Sequence, residues 1–158
     1  MNSISDIVEL IEDHEEENGH DNLVAGLQNF DVEKGAAILF FAVGEAHRGH
    51  EQSHKRTERM LKAVICSGVD VNTKNDIGET PIFYARSACI VKILADAGAS
   101  ISEKSMRYEI APDGESGGAR VESLGFRAAR KRGADIMEAL LDLGLDANEL
   151  DDSNTSLL

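Results

Sequence analysis

No apolar run in this chain approaches the roughly 18 residues that a membrane span needs, so none is expected to cross a bilayer. The N-terminal stretch has no basic segment, and acids interrupt its apolar positions, so it is not expected to be a secretory signal. Cysteine is scarce. Cys66 and Cys89 sit in apolar helical contexts and form no C-x-x-C pair, so they are expected to be buried free thiols in a reducing cytoplasm. Lys and Arg are missing from residues 1–33, which hold ten acids, and from residues 134–158, which hold seven. With 29 acids against 16 bases the net charge is −13. A field of that sign repels phosphates, so neither nucleic acid nor an anionic membrane is expected as a partner. It would instead steer a basic protein partner toward the acidic ends.

What remains is a soluble, globular composition, 42% apolar and 28% charged over 158 residues. That length suffices for one domain with its own core and no covalent staples. Apolar spacing predicts helices over 5–16, 21–27, 36–46, 55–66, 81–87, 90–97, 125–132 and 136–143. Most are two or three turns long and need neighbours to cover their apolar faces. Gly-rich or Asp-Asn-rich stretches separate them at regular intervals, which suggests a repeat architecture.

The segment Asp76-Ile-Gly-Glu-Thr-Pro-Ile-Phe-Tyr-Ala85, followed by Ile90-Val-Lys-Ile-Leu-Ala-Asp-Ala-Gly-Ala99, resembles an ankyrin repeat. Gly78 permits a tight turn, Pro81 suits the first turn of a helix, Thr80 is placed to cap that helix, and Gly98 to end the next. Gly35 to Ala42 keeps the Gly-to-Ala spacing of Gly78 to Ala85, and Met60–Asn72 and Met137–Asn148 resemble the family's repeat endings. The resemblance implies an all-α repeat solenoid of about four stacked helix-turn-helix units forming one domain. Its parts would be an acidic capping pair (1–34), three repeats (35–75, 76–105, 106–150) and a tail (151–158). Alternating residues around Pro112-Asp113-Gly114 predict a β-hairpin finger at 106–123, with Tyr108, Ile110 and Val121 placed to meet a partner.

Similarity to this family implies protein recognition through a concave face and loop fingers, without catalysis, metal or cofactor. Register and residue type nominate Phe41, Asp76, Tyr84, Arg86, Tyr108, Phe126, Arg127 and Arg130 as partner contacts, since aromatics and Arg dominate interface hot spots. Phe40 and Phe83 are assigned to the core. The chain is expected to be a monomer on its own. A bacterial immunity protein or inhibitor that neutralises a toxin or enzyme is one form of such a binder; an effector or adaptor engaging host proteins is the alternative. One enzyme-like motif stands out. His50-Glu51-Gln52-Ser53-His54 matches H-E-x-x-H, with His47 nearby. Polar neighbours and Gly49 argue for a solvated loop instead, so zinc catalysis is the remote alternative.

Overall fold

The computed structural model describes residues 32–45, 51–110, 116–131, 133–151, 154, 156 and 157. They divide between two compact units, 1–71 and 72–158, where the sequence predicts one domain. The helices predicted at 5–16 and 21–27, and most of the 1–34 cap, lie outside the described residues.

In the first unit, helix α1 (Val32–Glu45) packs against α2 (Glu51–Cys66). Ile38, Leu39, Ala42 and Val43 recur at helical spacing on α1, and Met60, Leu61, Ala63 and Val64 on α2; all eight are buried. Gly35 is there because Val69 leaves no room: a Cβ would come within 2.8 Å of its methyl group.

The second unit begins with a loop and a single 3-10 turn, Pro81–Tyr84. Helix α3 (Ala88–Asp96) follows, then strands β1 (Lys104–Ile110) and β2 (Ser116–Ser123), and helices α4 (Leu124–Lys131) and α5 (Ala134–Asp142). β1 and β2 form a two-stranded antiparallel sheet. Helices α3 and α4 each pack on α5, and the 3-10 turn packs on α3. The core is aliphatic around one ring: Ile82, Phe83, Ile90, Val91, Leu94, Leu124, Ile136 and Leu140 are almost fully buried. Helices α3 and α5 end alike. Gly98 and Gly144 adopt φ of 93° and 92°, and the next residues, Ala99 and Leu145, donate back to Leu94 and Leu140 at 2.9 Å. That is the left-handed closure glycine makes without a Cβ penalty.

This arrangement overturns the all-α repeat solenoid. Among the described residues, five α-helices are joined by a two-stranded antiparallel sheet, and the second unit is mixed α/β. The supposed repeat spacing hides two different structures. Gly35 to Ala42 lies wholly inside α1, whereas Gly78 to Ala85 runs through a left-handed glycine (φ 77°) and the 3-10 turn. The helix expected over 81–87 stops after Tyr84 because Ala85 turns out to ψ 131° and Ser87 is already extended. The Ser87 hydroxyl accepts from the Ile90 N–H at 3.4 Å and starts α3 instead. The strands occupy 104–110 and 116–123; the Pro112-Asp113-Gly114 turn lies outside the described residues.

Two local expectations also change. Cys66 and Cys89 are exposed, because each falls at a helix end on its outer side. Thr80 does not cap: its hydroxyl is buried without a hydrogen-bond partner among the described atoms. An orphaned buried hydroxyl costs about 1–3 kcal/mol, and an apolar group of the same shape removes that penalty. Thr80→Val is therefore expected to stabilise the protein by about 1 kcal/mol, read as a higher urea midpoint at unchanged slope. A lower midpoint would mean that the hydroxyl is satisfied in solution.

Candidate functional site

The second unit is organised around one asparagine and one arginine. Asn75 folds the loop before the 3-10 turn. Its Oδ1 accepts from the N–H groups of Ile77 (3.1 Å) and Glu79 (2.9 Å), and its Nδ2 donates to the Tyr84 hydroxyl at 2.9 Å. The turn so formed leaves Asp76 and Ile77 exposed and directs Glu79 inward.

Arg127, on α4, meets that carboxylate. Its guanidinium donates to Glu79 Oε1, to Ser105 Oγ at 2.8 Å and to Glu122 Oε2 at 2.9 Å. It also lies over the Phe83 ring, 4.8 Å from the centroid, where a cation is attracted by the ring face. Arg130, one helical turn on, donates to the other oxygen of Glu122 at 3.0 and 2.5 Å. Side-chain exposure is 6% at Glu79, 13% at Arg127 and 35% at Arg130. Two carboxylates and two guanidiniums thus balance inside the unit. The network joins the 75–80 loop, both strands and α4, and clamps the hairpin at its base.

Burial alone pushes the Glu79 carboxyl up, but hydrogen bonds from Arg127 and Tyr84, with the charge of Arg127, bring it below the ordinary carboxylate range. At Glu122, burial again works upward, and Arg130 and Arg127 together outweigh it, so this carboxyl is also lowered. Burial and the adjacent Glu79 raise the Tyr84 hydroxyl. Both carboxylates are therefore ionised near neutrality and paired with guanidinium donors. This is chemistry that fixes geometry and offers no proton to a substrate.

Above the clamp the hairpin carries an apolar pair. Met106 and Val121 stand directly opposite one another in the register, at 50% and 42% exposure, while Ser105 and Glu122 beside them face inward. Alternation along the strands explains this division.

The nominated contacts are divided between the two units. Phe41 lies on α1 in the first unit, at 38% exposure. Asp76 and Arg86 are exposed, and Tyr84 and Phe126 are half-buried. Arg127 is an internal tie rather than a surface contact, and Arg130 is half engaged by the same network. Tyr108 lies in β1, its side chain outside the described residues. His47 and His50 also fall outside, and for Glu51 and His54 only their place at the start of α2 is described. Among the described residues no cluster of His, Cys, Asp and Glu is suited to a metal. No described helix is long and apolar enough to cross a membrane.

Sequence reasoning missed Glu79, Glu122, Ser105 and Asn75. One signal was present: Arg127 and Arg130, three apart on a helix, share a face, and that face needs acids if it turns inward. No protein-family model matches the chain, and no curated protein is significantly similar to it.

Proposed function

We propose that the chain is a non-catalytic, cytoplasmic protein-binding module whose contact surface is the outer face of the clamped hairpin. The observation that carries this reading is the Met106–Val121 pair, two large apolar side chains left in water on a face held rigid from behind. Solvent-exposed apolar groups on a preorganised support are what a partner buries with least loss of entropy. The turn at Asp76 and Ile77 adds a second exposed apolar group to the same unit. The acidic stretches, residues 1–33 and 134–158, favour a basic partner by steering its approach.

The test compares the wild type with Met106→Ser/Val121→Ser as baits, followed by mass spectrometry and titration of the protein recovered. The expected result is a defined protein held by the wild type and bound at least about tenfold more weakly by the variant, with circular dichroism unchanged. Equal binding by both baits would remove the hairpin face from the contact.

A further inference from the structure

β1 is the regular edge of the hairpin. Tyr108 pairs with Ala119 and Glu109 with Gly117, so the extra residue of the bulge, Gly118, belongs to β2. A bulge bends and interrupts the strand that carries it, whereas Lys104 to Ile110 run on unbroken. The sheet order is β1-β2 alone, so among the described residues no third strand pairs with the outer edge of β1. An edge of this kind is a template for another strand.

The β1 sequence, Lys-Ser-Met-Arg-Tyr-Glu-Ile, is self-complementary about Tyr108. In the antiparallel register that sets Tyr108 opposite Tyr108 of a second copy, Arg107 falls opposite Glu109, and Met106 opposite Ile110. Positions alternate between faces along a strand. By that alternation positions 105, 107 and 109 fall on one side of the strand and 106, 108 and 110 on the other, so the charged and the apolar pairs are segregated in sequence register. Opposite charges directly across an antiparallel pair stabilise it, and like charges oppose it. The neighbouring two-fold registers set Arg107 opposite Arg107, or Glu109 opposite Glu109. Charge thus deters slipped pairings and unrelated strands while matching this strand to its own copy.

We propose that the edge of β1 pairs with the same edge of a second copy, so that a two-fold homodimer carries one four-stranded antiparallel sheet. Isolated two-stranded hairpins are marginal, and sheets of more strands are better supported. The proposal concerns the strand's edge, not the face assigned above to another protein, and it stands without that reading. It departs from the monomer expected from the sequence.

Sedimentation velocity of the full chain over a concentration series tests it. A monomer–dimer equilibrium is expected. Arg107→Glu or Glu109→Arg alone creates two like-charge pairs by symmetry and should weaken dimerisation by about tenfold or more. The double swap R107E/E109R should restore it, with circular dichroism unchanged throughout. Residues directly opposite in an antiparallel pair have Cα atoms about 4.5–5.5 Å apart, within disulfide reach. Tyr108→Cys, in a Cys66→Ser/Cys89→Ser background, should therefore oxidise to a covalent dimer. A monomer at every concentration, a dimer indifferent to both single changes, or no cross-link at residue 108 would each overturn the proposal.

Discussion

Replacing Arg127 by methionine is expected to destabilise the protein by about 3–5 kcal/mol, the range for removing one partner of a buried ion pair. The methionine keeps much of the stem's packing over Phe83, so the loss isolates the guanidinium head and its cation–π contact. Glu79 is then left buried without the cation that pairs with it among the described residues, and Ser105 loses a donor. Glu122 retains Arg130. A domain has only about 5–15 kcal/mol in total, so part of the population should unfold at room temperature. Arg130→Met should cost much less, because its side chain is 35% exposed and solvent screens the pair. Adding Glu79→Gln to the Arg127 variant should recover part of the loss, since a neutral amide is cheaper to bury alone than a carboxylate. Urea unfolding of the three variants decides the matter. A loss below about 1 kcal/mol for Arg127→Met would place the cluster among surface ion pairs.

This cluster also shows what could and could not be read from the sequence. The glycine endings at Gly98 and Gly144 were legible because a helix's last turn is a local event, with its glycine and preceding apolar residues adjacent in the chain. The hairpin was legible for the same reason: alternation flanks a turn signal. Arg127 was legible only as a cation. Its partner Glu79 lies 48 residues away, and no periodicity links them, so the sequence offered it as an interface residue when it is an internal tie. The solenoid failed for a related reason. A spacing from Gly to Ala says how many residues intervene and not which φ the glycine takes. At Gly35 it sits within a helix, and at Gly78 it turns left-handed. Exposure of Cys66 and Cys89 depended on which side of a helix end faced the core, which apolar neighbours in sequence did not reveal.

Acid should act on the clamp late and then steeply. Glu79 and Glu122 are both held below the ordinary carboxylate range, the guanidinium donors outweighing the burial that works the other way. An unfolded glutamate titrates near about 4.3. A carboxyl lowered in the folded state contributes stability that is fully present above that value and drains away as pH falls through the lower, folded one. Stability from the cluster should thus stay level from neutrality to about pH 5 and fall below about pH 4. Had burial won, the carboxyls would be raised, the folded state would bind protons before the unfolded one, and acid would add stability rather than remove it. The chain has 29 acids in all, so the cluster's share must be isolated by difference. In Glu79→Gln/Glu122→Gln the acid limb of the stability curve should flatten relative to the wild type, while at neutral pH the variant is the less stable of the two because Arg127 has lost its counter-charges. Tyr84 adds an opposite signature. Its hydroxyl is raised by burial and by Glu79, so its contribution is complete below about pH 10, where unfolded tyrosine titrates, and is lost as pH rises through the folded value. Tyr84→Phe should flatten that alkaline limb and also soften the acid limb, since the hydroxyl is one of the donors that hold Glu79 low. Acid limbs that superimpose for the double variant and the wild type would show that the two carboxylates are not held by Arg127 and Arg130 in solution.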